Sequence, residues 1–466
     1  MSLDFSERPS RPIIKFESML KTDDIYFFDA EDFEDIIHYY LNNGKIALAK
    51  KGIKIGLQQH PTAIELKLLL VEVMVFENNL EGAGDLLDEL QLVDTLNEEI
   101  YIQRANIFSK QDNHHGAINL LKKALKLSKH SIDVHALLGM EYLFIDSFKL
   151  AKEHFIKCVA YDPEDYSSLY NVIYCFEFLE DFDGAINYLN IFLDKNPYCE
   201  VAWHQLGKQY CSKNLLQDAL DAFDFAIISD DIFTGAYFEK GKVLEKLGRY
   251  EDAIENYETT ITIEDPTSHA YLRIGKCYEK LGNHEKTKYY FYQTVHEDPL
   301  LAKGWLAITN FYYSAKDYKK ALYYITKALN INEENAAFWK KCAQINVALN
   351  DYKQADIAFQ QLVALGNYEL DTWLDWAKIS RAHGNIDEAI QILTQGGEFF
   401  PENLKIHYRN IGYLLLKKDF NNARLLLRET IKLDHSLKKI HLFNNHFPEF
   451  KNLEWLKAIL NKAKNH

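Results

Sequence analysis

The sequence predicts an all-α fold, a solenoid of tandem helical hairpins, and three columns of residues carry that prediction. Trp305, Trp339 and Trp373 are evenly spaced, and Trp203 precedes Trp305 by three steps of the same interval. Alanine recurs at that interval at Ala49, Ala83, Ala117, Ala151, Ala185, Ala219, Ala253, Ala321, Ala355, Ala389 and Ala423, with Thr287 the exception among twelve positions. Pro61, Pro163, Pro197, Pro299 and Pro401 share one register, and Pro266 is displaced from it by one residue. A fixed period of this length is the signature of stacked supersecondary units.

Each column has a physical cause. Alanine so often at one position marks a place where only a small side chain fits, and close helix-to-helix approach is the natural reason. A second small-residue column lies in the preceding segment, at Ala105, Gly139, Gly207, Gly241, Gly275, Ala343 and Ala377, with Ile37, Val71, Ile173 and Thr309 as larger exceptions. Two helices per unit are implied, each with one thin spot. Between them fall turns such as Leu-Gly-Arg-Tyr at 247–250, Leu-Gly-Asn-His at 281–284 and His-Gly-Asn-Ile at 383–386, where glycine permits the left-handed backbone that ends a helix. The prolines follow the second helix, since proline lacks the amide a continuing helix needs. Apolar residues recur at spacings of three and four, as in Tyr237, Val243 and Leu244, then Ala253, Ile254, Tyr257 and Ile261. Such a hairpin cannot bury its own apolar face and must stack on its neighbours.

At Trp203, Leu206, Gly207, Tyr210, Ala219, Phe223 and Ala226 the pattern resembles the tetratricopeptide repeat. It continues through Tyr237, Gly241, Ala253, Tyr257 and Pro266, and again through Tyr271, Ile274, Gly275, Tyr278, Phe291 and Pro299. The resemblance implies a right-handed superhelical α-solenoid. Twelve units counted from Ala30 occupy residues 30–437, leaving 1–29 as an N-terminal cap or loose segment and 438–466 as a C-terminal cap. Leu453, Leu456, Ile459 and Leu460 lie at helical spacing within that tail. The first three units and the last match the pattern least well. In the twelfth, Gly412 comes one residue late while Ala423 keeps register, so a turn shortened by one is expected.

Composition excludes several kinds of function. The 466 residues carry 53 Lys and Arg against 68 Asp and Glu, a net charge of -15, which repels phosphate backbones and anionic lipid. The six cysteines form no C-x-x-C and are read as buried thiols. The N-terminus lacks a secretory signal and no apolar run is long enough to span a bilayer, so a cytoplasmic protein is expected. No hydrolase, Walker or dinucleotide motif is present, and no catalytic residue, metal or cofactor is assigned. His114-His115 and His296-Glu297-Asp298 are the most metal-like clusters, and both are placed in solvated inter-helix loops. Asp230-Asp231 and Glu333-Glu334 are expected near helix N-termini rather than as an acid and base.

Function then belongs to the surface. The resemblance implies that first helices line a concave groove holding an extended peptide or helix of a protein partner. One first-helix column reads Lys208, Lys242, Lys276, Asn310, Gln344 and Lys378, a ladder of hydrogen-bond donors. One turn earlier stands an apolar and aromatic stripe, Tyr170, His204, Phe238, Leu272 and Leu306. These residues are the candidate partner-binding set, suited to an acidic or polar segment with spaced apolar anchors. Alternatively the lysines pair with Glu245 and Glu279 on a solvated face. Glu31, Glu65, Glu99 and Asp133 form an acidic column in the early units. The carboxylate clamp that some tetratricopeptide arrays use on chaperone tails is not matched: Asn171 and Asn310 are compatible, but Leu306, Ala136, Met140 and Val201 occupy its other places. The expected function is a non-catalytic scaffold or adaptor. A helical-repeat RNA-binding adaptor, or an accessory subunit positioning a separate enzyme or secretion component, are the other readings.

Overall fold

The computed structural model describes residues 11–22, 26–128, 132–264, 267–434, 439–450, 453, 454 and 456–458. Among these every regular element is helical. The chain forms two compact units, Met1–Phe233 and Thr234–His466, and each contains six hairpins.

In the first unit a leading helix, Arg11–Thr22, precedes hairpins whose first helices begin at Ala30, Ile64, Glu98, Ile132, Tyr166 and Glu200. In the second they begin at Thr234, Ser268, Ala302, Ala336, Leu370 and Leu404. Each of these helices is 13 residues long. The partner helix opens after a short turn, as in Glu200–Ser212 followed by Leu216–Ser229.

Packing inside a hairpin rests on volume complementarity between one position on the first helix and one on the second. The small residue of the first helix faces a large one on its partner, and an added Cβ at Gly139, Gly207, Gly241 or Gly275 would lie 2.7, 2.5, 2.6 or 2.5 Å from the ring of Phe155, Phe223, Tyr257 or Phe291. Where the first position carries Ile37, Val71, Ile173 or Thr309, the second carries the smaller Ile53, Leu87, Leu189 or Ile325, all buried. The larger exceptions in the glycine column are therefore compensated. The alanine column is fully buried in every unit. Thr287 fits there because its hydroxyl turns back onto the Asn283 carbonyl at 2.7 Å.

The hairpin turns are more uniform than their sequences. All twelve contain a residue with positive φ at the same register, glycine at Gly44, Gly248, Gly282 and Gly384, but Asn78, Asp112, Asp146, Glu180, Asn214, Lys316, Asn350 and Lys418 elsewhere. The next residue often caps the second helix: Asn79, Asn113, Asp181, Asn283, Asp317, Asp351 and Asp419 each accept a hydrogen bond from a backbone amide in its first turn. The tryptophan column ties hairpins together, since the indoles of Trp203 and Trp305 donate to the carbonyls of Pro197 and Pro299 at 2.8 Å and Trp339 to that of Glu333 at 2.7 Å. Trp373 keeps the register but loses this bond. The helix before it, Tyr352–Ala364, ends early, with a positive φ at Gly366, and the buried Trp373 Nε1 has no acceptor among the described residues.

Two expectations are corrected. The twelfth turn is not shortened: Leu404–Leu416 and Phe420–Leu433 keep the connection seen in the other hairpins. Ile411 fills the small-residue position, with Leu427 as its counterpart, and Gly412, one place on, makes room for the Phe447 ring, 2.0 Å from where its Cβ would stand. The histidine clusters are not loops. His114 opens the helix His114–Leu127, and His296 and Glu297 close His284–Glu297.

Both ends of the chain contribute apolar surface. Phe16 is buried against Phe28, Phe33 and Tyr40, and the Gln59 side chain bonds both the Tyr26 carbonyl and the Phe28 amide. At the other end a short helix, His441–His446, and the turn Pro448–Phe450 bring Phe443 and Phe447 into the core with Leu456. Pro266, Ile459 and Leu460 lie outside the described residues.

Two measurements check this account. Gly207→Ala is expected to lose about 1–3 kcal/mol in urea denaturation despite the better helix propensity of alanine, because the methyl overpacks Phe223. Adding Phe223→Leu should recover most of that loss, and a double variant no better than the sum of the single ones would contradict the pairing. Glu180→Gly and Lys316→Gly are each expected to gain roughly 0.5–1 kcal/mol, since a Cβ is disfavoured at positive φ.

Candidate functional site

The first-helix residues of each unit fall into packing positions and open ones, and the open ones build the clefts. In the first unit a cleft of about 610 Å³ opens over hairpins one to three, and one of about 490 Å³ over hairpins four to six. The second contains two of the expected binding residues, Tyr170 and Lys208.

Around Tyr170 the structure gathers residues not included in the expected set. Met140, Phe144 and Tyr174 line the same cleft, and with Tyr170 they are 39–56% exposed, well beyond what packing requires. Tyr174 and Phe178 lie 4.6 Å apart, and Phe148 stacks on Phe178 at 4.6 Å. Tyr170, Tyr174 and Phe178 recur at one-turn spacing on one helix face, a pattern present in the sequence along the helix rather than across units. Asn171, Gln205 and Lys208 supply donors, and Lys208 donates to Gln205 at 3.4 Å. Glu177 accepts from the buried Gln209 amide at 2.7 Å. His204 does not line this cleft, because its ring packs on Phe223 and Phe233 at 5.8 and 5.3 Å.

In the second unit the apolar stripe closes into the core. Leu272 is buried with Phe291 and Ile308, Leu306 packs on the same cluster, and Phe238 lies against Tyr257 at 5.3 Å. The lysines are partly engaged. Lys242 pairs with Glu239 one turn earlier at 2.8 Å rather than with Glu245, which receives the Tyr257 hydroxyl at 2.6 Å and Arg273 at 3.3 Å. Lys276 is held below the usual lysine range by partial desolvation, with Arg273 adding to the shift and Glu245 opposing it. Asn310 is half-buried and Gln344 exposed. Lys378 joins Asp371, Asp375, Lys405, Arg409 and His446 around a cleft of about 380 Å³.

A partly buried histidine pair in hairpin four has no sequence signal. His135 Nδ1 lies 2.8 Å from His154 Nδ1, with the rings 4.9 Å apart, and His154 also stacks on Tyr142. One nitrogen must donate and the other accept, so a second proton on the pair meets a like charge. Burial, then His135 and the ammonium groups of Lys157 and Lys122, lower the His154 pKa to about 4. Among the described residues no group of three or more His, Cys, Asp or Glu side chains is arranged to hold a metal ion, and no helix is long and apolar enough to cross a membrane.

Twelve hairpins of constant register define a helical-repeat protein of the solenoid class. The sequence models described as tetratricopeptide repeat match residues 98–131, 132–165, 234–265 and 269–300, four hairpins drawn from both units and identical in register to the other eight. Those four hairpins are tetratricopeptide repeats. It is similar to a chain of the APC/C hetero-tetramer Cut9-Hcn1, at 16% identity over 84% of this chain and 90% of that one, with a TM-score of 0.39. It is similar also to YrrB, a TPR protein with an unusual peptide-binding site, at 14% identity over 38% of this chain and 92% of that one, TM-score 0.32. A third likeness is to a chain of the Naa15/Naa10 complex bound to HypK-THB, at 12% identity over 85% of this chain and 68% of that one, TM-score 0.33. A search of curated proteins finds no match.

The histidine pair gives a prediction with a defined sign. Its folded pKa lies below the unfolded value near 6.5, so the unfolded chain takes up more protons and stability is lost as pH falls from about 6.5 towards 4. On moving from pH 7 to pH 5, His154→Gln is expected to lose about 1 kcal/mol less stability than wild type in urea denaturation. Equal losses would contradict the neutral pair.

Proposed function

We propose that the protein is a non-catalytic scaffold or adaptor that holds a segment of a protein partner on the first-helix face. Tetratricopeptide repeats support a protein-binding role. The observation that carries the finer reading is the exposed apolar surface of Met140 with the aromatic rings of Phe144, Tyr170, Tyr174 and Phe178. Side chains this large gain free energy when taken out of water, and clustered aromatic anchors dominate binding at interfaces. Asn171 and Lys208 at the same cleft suit the carbonyls or carboxylates of a bound segment.

In the second unit Lys242, Lys276 and Lys378 remain the proposed polar contacts, without an open apolar stripe beside them. Residues 1–29 and 438–466 are proposed as caps on the array of residues 30–437. A cytoplasmic location fits this reading.

Replacing Tyr174 and Phe178 together by serine tests it. Circular dichroism should stay unchanged, while partners recovered by affinity capture and quantified by mass spectrometry fall at least tenfold, as expected for loss of two anchors worth about 1–2 kcal/mol each. The same proteins in the same amounts from wild type and variant would refute the assignment.

A further inference from the structure

The cleft over hairpins one to three differs in character from the aromatic one. Its walls carry Glu34, Glu65, Glu72, Glu98 and Glu99, and His38 is the only basic side chain among the lining residues. Among the described residues none of these five carboxylates is paired with a lysine or arginine. Lys50 pairs with Glu77 at 2.9 Å and Arg104 with Asp88. Glu99 accepts from the Gln103 amide at 2.7 Å. Burial raises the Glu34 and Glu99 pKa values; Glu65 raises the first further while His38 opposes, and the Gln103 hydrogen bond lowers the second against the repulsion of Glu72 and Glu98. Like charges facing one cleft repel one another.

The cleft is also a groove with apolar walls. Leu68, Leu69 and Leu127 line it, and Leu96 stands 72% exposed at its edge. At about 610 Å³ it has room for several side chains rather than a single ion.

We propose that this cleft docks a cationic segment of a protein partner, one whose lysine or arginine side chains alternate with apolar ones. The inference rests on the first-helix groove reading and adds the sign of the partner's charge. A guanidinium or ammonium group between Glu65, Glu72 and Glu99 relieves their mutual repulsion, and an apolar side chain beside it covers Leu96. The acidic segment expected from the lysine column belongs, on this reading, to the later hairpins, and the first three select the opposite charge.

Fluorescence anisotropy on the full chain tests this with labelled peptides of equal length that repeat Lys-Leu-Lys-Phe, Glu-Leu-Glu-Phe or Lys-Ser-Lys-Ser. The first should bind tightest, the second not at all, and the third weakly. Glu65→Gln with Glu72→Gln and Glu99→Gln should weaken the first peptide about 30-fold or more. Asp85→Asn with Glu89→Gln and Glu153→Gln removes the same charge from second helices and should weaken it less than about threefold. Equal losses from the two triple variants would show attraction to net charge only and overturn the proposal. So would spermine binding as tightly as the Lys-Leu-Lys-Phe peptide, since the apolar walls would then contribute nothing. The groove reading fails separately: there, Tyr174→Ser with Phe178→Ser leaves capture of the native partners unchanged. If that variant loses them while the acidic-cleft triple variant keeps both the partners and the peptide, the charge assignment alone is wrong.

Discussion

The contact on which the rest depends is the pairing of one position on each first helix with one position on the second helix of the same hairpin. Where the first is glycine the second is an aromatic ring seated on bare backbone, as in Gly207 with Phe223. Where the first is Ile173 the second shrinks to Leu189. The sum of the two volumes fixes how closely the helices approach, and with the buried alanine it fixes the shape that each hairpin offers to its neighbour. Constant first-helix lengths follow, because a hairpin of different span would bring its apolar face out of line with the next. The open first-helix positions then fall at regular intervals, and their chemistry is free to change from unit to unit without disturbing the stack.

That freedom explains the contrast between clefts on the same kind of scaffold. Carboxylates occupy the open positions of the first three hairpins, aromatic rings those of hairpins four and five, and amines and amides those of the later ones. None of these side chains holds the hairpin together. Tyr174 and Glu72 stand at corresponding places in their hairpins, and the buried contacts beneath them are alike while one presents an aromatic ring and the other a carboxylate.

Much of this architecture was legible in the sequence because a small side chain repeated at a fixed period has few causes. The alanine column marked the second helix of eleven units, and six prolines marked junctions between units. The exceptions Ile37, Val71 and Ile173 were legible only as exceptions, since their meaning lies in Ile53, Leu87 and Leu189 on the facing helices. Gly412 misled because glycine signals thinness without saying which neighbour fills the space, and here the neighbour is Phe447 from outside the repeat. The site was less legible. Leu272 and Tyr170 share a column, yet one is core and the other is surface, and that difference depends on which side chains the adjoining hairpin supplies. The histidine pair of His135 and His154 was invisible, since two residues on different helices that meet only through the fold leave no pattern.

The left-handed residue that closes every hairpin has a consequence beyond local strain. Because Asn78, Glu180 and Lys316 adopt the same backbone as Gly248, the bend is imposed by the helices it joins and not by the residue that makes it. Its side chain is consequently a spare place on the exterior. Twelve such places recur along the chain, and charge can be added to or removed from them to tune solubility and long-range attraction while every helix stays where it is.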